Sequence, residues 1–271
     1  MYKANKKLVI NISLATLLLL TVLLYFFWPL LNKVFWGSPE VKVRLPLPVV
    51  IKTSKNPIPF LTWDVPQTKD GLPEQAGRIV VHHPESYWSS AWNDFCVRYP
   101  AECRFRPEER DRITLTLDLW NKINKINRKV NAEVIYASDK DNYAAEEEYL
   151  DLPFHGYGDC EDYALLKRHY LLQMGISMKT LRLAMLIGER EIGHVVLIIR
   201  TDRGDFVLDS NSEQIAPWGM TRKRYDYTFI QGSNERGWLS LKDAYEDCER
   251  CSNAYINMID KESSRTSSEA R

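Results

Sequence analysis

Residues 158–163 read Gly-Asp-Cys-Glu-Asp-Tyr, and this hexapeptide constrains the chain more than any other stretch of it. A glycine-rich approach, residues 154–158, runs into it, and Ala164, Leu165, Tyr170, Leu171 and Met174 follow at the spacing of an amphipathic helix. The pattern predicts a helix from about Cys160 to Met174, closed by Gly175 in the left-handed conformation that glycine favours. Cys160 then opens that helix, where unpaired N–H groups and the helix dipole place partial positive charge. A thiol in that position is driven toward thiolate, the nucleophilic form.

Downstream of the helix the pattern changes to strands. Leu181 to Ile187 and Gly193 to Arg200 read as buried strands, residues 201–205 as a hairpin turn, and Asp205 to Asp209 as the return strand. Closed on a two-residue Asp202-Arg203 loop, the hairpin sets Val196 opposite Asp209 and makes His194 the diagonal neighbour of Asp209 on one sheet face. Such diagonal pairs lie ~7–8 Å apart at the backbone, within reach of long side chains. Cys160, His194 and Asp209 thus supply a nucleophile, a base and a group that orients the base. Singly, Cys160 has a plainer reading as a structural cysteine and His194 as a satisfied core histidine. The other histidines are weaker candidates. His82 and His83 fall in a proline-rich stretch, His169 lies mid-helix, and His155 is a pocket candidate with a structural role favoured.

Thirty-six basic residues balance 36 acidic ones, so no global field argues for nucleic acid or an acidic ligand. With 271 residues, 45% of them hydrophobic, the chain has the length of one globular domain plus extensions. Leu8 to Leu31 is largely apolar and long enough to span a bilayer, and Lys3, Lys6 and Lys7 precede it, which favours an N-in orientation. No small-residue cleavage site ends the run, so a retained anchor is favoured over a signal peptide. The expected organisation is a cytoplasmic N-terminus at 1–7, a transmembrane anchor at 8–31 and a proline-rich linker at 32–87. A catalytic domain at 88–260 and a disordered tail at 261–271 complete it. This organisation predicts a single-pass inner-membrane protein with its domain in the periplasm. Cys96, Cys103, Cys248 and Cys251 would form two disulfides there, with three pairings open, leaving Cys160 as the odd thiol; a zinc site built from the four is the minor alternative. Leu119, Trp120, Ile123, Ile126 and Val130 predict another helix, whose Lys122, Lys125, Arg128 and Lys129 read as a solvated face. A further helix is expected near Leu241 to Tyr255.

Residues 158–164, 193–197 and 201–209, as they stand here, resemble the bacterial transglutaminase-like cysteine proteinases, whose members include periplasmic LapG-type proteases. Trp92, Phe95, Cys96, Pro100 and Cys103 are similar to the N-terminal portion of that family, and the resemblance covers roughly residues 88–218. It implies an α+β, papain/transglutaminase-like core, in which a helix bearing the cysteine packs on an antiparallel sheet bearing the histidine and aspartate. It also implies a Cys160–His194–Asp209 triad working through a thioester acyl-enzyme. Calcium is implied on Asp159, Glu161 and Asp162, although acids at a helix start also serve as caps and complement the dipole. Crowded there, they would repel one another, and a hard, oxygen-seeking cation would relieve that. A bacterial surface adhesin as protein substrate and an inner-membrane receptor for cyclic di-GMP as regulator are further implications. Where the family often carries a tryptophan, this chain has the stretch from Tyr149 to Phe154. Two other classes stay open: an amidase or transamidase acting on glutamine or peptidoglycan crosslinks, and a non-catalytic, calcium-responsive interaction module.

Overall fold

The computed structural model describes residues 56, 60–81, 86–87, 89–144, 149–188, 191–232, 237–248, 251, 253 and 256–257. The expected anchor at 8–31 and tail at 261–271 lie outside the described residues. Among the described residues, no helix is long and apolar enough to cross a membrane. The longest described helix, Leu117–Glu133, has 17 residues and carries a charged face. The single-pass inner-membrane placement is therefore corrected, and the periplasmic location that rested on it is not carried forward.

The centre of the molecule is a seven-stranded antiparallel sheet. Its strands are β2 (Ser86–Tyr87), β10 (Trp238–Ser240), β9 (Asp226–Gln231), β5 (Leu181–Ile187), β6 (Gly193–Thr201), β7 (Gly204–Leu208) and β8 (Ala216–Pro217), in that spatial order. On one face lie the helices α2 (Leu117–Glu133) and α4 (Cys160–Gln173), with α1 (Ser90–Arg98) nearby in the same core. The strands are apolar on both faces, as a sheet covered on both sides requires. Val195, Leu197 and Ile199 of β6 join the helix-side core with Ile123 and Leu165, whereas Val196 and Ile198 join Val207, Trp218 and Tyr225 on the far side. Each such burial contributes ~1.5–3 kcal/mol relative to exposure. The result is the expected α+β class.

The hairpin has the anticipated register. Leu197 pairs with Leu208 and Thr201 with Gly204, leaving Asp202-Arg203 as a two-residue loop. Gly204 has φ +124°, and a Cβ there would meet the Ala76 carbonyl oxygen at 2.6 Å. Ala76 belongs to a strap that the sequence pattern assigns to the linker. Trp63, Ala76 and Ile79 of that strap are buried, and the Ile79 N–H donates to Asp205 Oδ2 at 2.7 Å. Strand β1 (Arg78–Val80) then pairs with β11 (Tyr245–Asp247). Residues 245–247 are thus a strand where a helix was expected, because β1 offers them a backbone ladder that helical periodicity does not reveal. The cysteines pair locally, Cys96 with Cys103 and Cys248 with Cys251, and Cys160 stays free.

Candidate active site

Two short strands deliver the hexapeptide to its helix. β3 (Ile135–Tyr136) pairs in parallel with β4 (Tyr157–Gly158), placing Tyr136 abreast of Gly158. A Cβ on Gly158 would lie 2.6 Å from both Cβ and Oδ2 of Asp162, so only glycine lets that acid fold back beneath the strand. Asp162 is fully buried and its Oδ1 accepts the Asp151 N–H at 2.8 Å. Asp159 occupies the cap position of α4, and Cys160 is the first helical residue.

At the far end of the hairpin, His194 Nε2 lies 2.8 Å from Asp209 Oδ1, with both side chains buried. The same carboxylate oxygen accepts the Asn211 N–H at 2.9 Å, and Oδ2 accepts the Tyr225 hydroxyl at 2.7 Å. Burial alone would raise the Asp209 pKa, but the field of His194 and these hydrogen bonds outweigh it and hold the carboxyl down at about 2. Helix α2 steadies the backbone behind it. Asn131 Nδ2 donates to the carbonyls of Asp209 and Ser212, both at 2.9 Å, and Asn127 Nδ2 to those of Ser212 and Glu213, both at 3.1 Å. With Nε2 committed to Asp209, the nitrogen left for chemistry is Nδ1, which is buried and has no partner among the described residues. His194 and the half-buried Cys160 line one cavity of about 540 Å³, walled by Met185, Ile187 and Phe229. The three residues expected from the sequence are brought to one place.

The cysteine's own surroundings are acidic. Cys160 Sγ donates to Glu161 Oε2 at 3.0 Å. Asp159 makes no capping bond with its side chain; its Oδ2 instead accepts the Asp139 N–H at 3.3 Å, and its Oδ1 is buried without a partner. Oxygens of Asp139, Asp159 and Glu161 lie within 4.8 Å of one another. Asp139 opens the short helix α3 (Asp139–Tyr143), which the β3–β4 pairing carries to this spot. Of the acids expected to form a cation site, Asp159 and Glu161 are thus joined by Asp139, while Asp162 is turned toward Asp151. Burial, with the Glu161 charge adding to it, pushes Asp159 up to about 8, and burial lifts Glu161 to about 7. Burial and the fields of Glu161 and Asp159 also push the Cys160 thiol well above its ordinary value. The expectation of a thiolate driven by the helix start is corrected: burial first, and then the carboxylates gathered at that start, outweigh the dipole. An all-oxygen donor set with one orphaned buried oxygen fits a hard cation such as calcium. Oxygens bound at ~2.3–2.6 Å around one such ion lie within about 5 Å of each other, which the cluster meets.

A family model described as bacterial transglutaminase-like cysteine proteinase matches residues 84–246, well over half of the chain. The chain belongs to this family. It is a cysteine-type peptidase, and its substrate is a protein. Calcium-bound LapG from Legionella pneumophila is similar in structure at 21% identity, with a TM-score of 0.40, over 53% of this chain and 80% of that one. EGTA-treated LapG from the same organism is similar at 18% identity, with a TM-score of 0.39, over 65% and 91%. No curated protein matches the sequence.

Several residues of the proteinase site are not evident from the sequence pattern. Asn127 leaves a signal, being a polar residue in phase with Trp120, Ile123 and Val130 on the buried face of α2. Asp139, Asn211 and Tyr225 carry none, since each arrives from a different loop or helix. His155, the pocket candidate, is exposed and lies off the catalytic cavity, 3.1 Å from the Tyr143 hydroxyl.

Proposed function

We propose that Cys160, His194 and Asp209 are the catalytic triad of this proteinase. The observation that carries the reading is the hydrogen bond between His194 Nε2 and Asp209, which leaves Nδ1 in the cavity that holds the chain's free cysteine. Nδ1 takes the thiol proton as sulfur attacks the scissile carbonyl, then gives it to the leaving amine. Asp209 fixes the tautomer and stabilises the imidazolium. Water then opens the thioester with His194 again as base. Mapping new N-termini in proteins incubated with the wild-type chain and with Cys160→Ala tests this. Cleavage that persists in the variant, or ammonia release without new N-termini, would overturn it.

Calcium belongs to the same reading. Asp139, Asp159 and Glu161 would hold the ion, with Asp162 outside the donor set. The support is the convergence of three carboxylates, one with a buried oxygen lacking any partner. Bound there, the ion supplies positive charge that offsets the carboxylate field at Cys160. Glu161, engaged by the cation, no longer competes with His194 for the thiol proton. The proposed folded domain begins by residue 60, ahead of the boundary at 88, given the burial of Trp63, Ala76 and Ile79. A bacterial surface adhesin under the control of a receptor is the substrate setting that the family resemblance favours, and the same N-terminal mapping on envelope proteins tests it.

A further inference from the structure

The triad alone lacks one component. Attack on a carbonyl turns its oxygen into an oxyanion, and cysteine and serine peptidases meet that charge with two hydrogen-bond donors. One is at hand: Cys160 opens α4, so its N–H has no acceptor within the helix. The second has to face the same cavity and be uncommitted. Besides the Cys160 thiol, four side chains with N–H or O–H donors line it: Asn56, Tyr136, His194 and Thr228. Asn56 is tied through one of its two N–H groups to Asn211 Oδ1 at 2.6 Å, Thr228 donates to the Met185 carbonyl at 3.1 Å, and His194 serves as base. Tyr136 is the remaining hydroxyl on the lining.

We propose that the Tyr136 hydroxyl is the second oxyanion donor, acting with the Cys160 backbone N–H. This rests on the triad reading and completes it. Two placements support it. The β3–β4 register sets Tyr136 abreast of Gly158, two residues before the nucleophile, and Tyr136 lines the same cavity as Cys160. Tyr136 also lines a second cavity of about 480 Å³, with Arg128, Asn131, Ser210 and Asn211. Only Asn56 and Tyr136 are common to both cavities, so a polypeptide bound across them passes over the tyrosine as it enters the cavity that Cys160 lines. The electron count is simple. The Cys160 sulfur bonds to the carbonyl carbon, the π pair moves onto oxygen, and that oxygen accepts the two hydrogen bonds. Collapse returns the pair and expels the amine, which takes its proton from His194 Nδ1.

Two reactions of the same sulfur separate this role from a structural one. Acylation by the p-nitrophenyl ester of N-acetyl-leucine passes through an oxyanion, whereas alkylation by iodoacetamide, a displacement at a saturated carbon, does not. In Tyr136→Phe, single-turnover acylation should fall about 100-fold, the usual cost of one such donor. Iodoacetamide alkylation should stay within about twofold, which also reports an intact, folded site. Unchanged acylation overturns the proposal. An equal fall in both rates overturns it too, since Tyr136 would then act on the thiol. If wild-type protein shows no acylation that Cys160→Ala abolishes, the triad reading itself fails and takes the oxyanion donor with it.

Discussion

The two sides of the catalytic cleft are built to different standards of completion. On the hairpin side, Asp209 has a donor for each oxygen, His194 beside it, and a carboxyl held down at about 2. On the helix side, Asp159 has an orphaned oxygen, Glu161 takes the thiol's hydrogen bond, and carboxyl groups are pushed up to about 8 and 7. One half is organised before anything binds. The other carries more negative charge than its burial can hold, which is the state a cation would complete. On the proposed triad, the difference means that the base and its orienter would be fixed by folding, whereas the nucleophile's reactivity would be left open to control.

Breaking the finished half should have the largest effect. Asp209→Asn keeps the shape but removes the group that sets the imidazole tautomer, and a loss of about 10³–10⁴ in kcat is expected for such a change. Circular dichroism would confirm that the fold is retained. A loss under tenfold would mean that another group orients His194.

The unfinished half should reveal itself through calcium and pH together. A carboxyl whose pKa is raised on folding stabilises the protonated native state, so stability is highest below the unfolded value and falls as pH climbs toward the folded one. For Asp159 and Glu161 that window runs from about 4 to about 8 in chelator. Melting temperature in EGTA should therefore drop between pH 5 and pH 8. Asp209 works in the opposite sense. Its stabilisation is complete above about 4 and is lost as pH falls through about 2. Calcium at 100 times its Kd would add about 2.7 kcal/mol, or roughly 5–11 °C in Tm for a domain of this size, and should flatten the decline toward pH 8. Glu161→Gln should remove most of that shift. A calcium response unchanged in the variant would place the ion elsewhere.

A smaller effect is expected from Tyr225→Phe, which takes one donor from the finished half. The hydrogen bond to Asp209 Oδ2 goes, while the His194 contact remains. Loss of one bond to a buried carboxylate is worth ~1.5–3 kcal/mol, part of it in stability and part in kcat, so a fall of about tenfold in kcat is expected. The Asp209 carboxyl should also move upward, so that acid unfolding begins at a higher pH than in wild type. Acid titrations of the two proteins that coincide would show the phenol to be dispensable.

The same contrast explains what was legible in the sequence. The hairpin half rests on local order: alternation in β6, a two-residue turn and a diagonal pair, all fixed by period and loop length. His194 and Asp209 could therefore be paired from sequence arithmetic. Cys160 was legible through its glycine approach and helix pattern. The acids that raise its thiol, Glu161 and Asp159, stand beside it in the sequence, but the third member of the acid cluster, Asp139, sits 21 residues earlier and is brought in by a two-residue parallel pairing with no sequence signature. Asp162 looked equivalent to its neighbours in the hexapeptide. Burial beneath Gly158, a property of the packed state, separates it from them. The β1–β11 ladder was hidden for the same reason, since strands of three residues carry too little alternation to read.

How far the unfinished half extends is a question for His155. Its ring lies 3.1 Å from the hydroxyl of Tyr143, the last residue of α3, whose first residue is Asp139. The histidine is exposed, and its two ring contacts, with the Tyr143 hydroxyl and the Tyr157 N–H at 3.2 Å, are each worth about 0.5–1.5 kcal/mol. His155→Gln should thus leave kcat within about twofold and the calcium-induced Tm shift within about 1–2 °C. A halved calcium shift would sharpen the contrast in a different way. It would show that α3 is held in place through its far end, and that the acid half of the cleft includes the loop before the nucleophile as well as the helix after it.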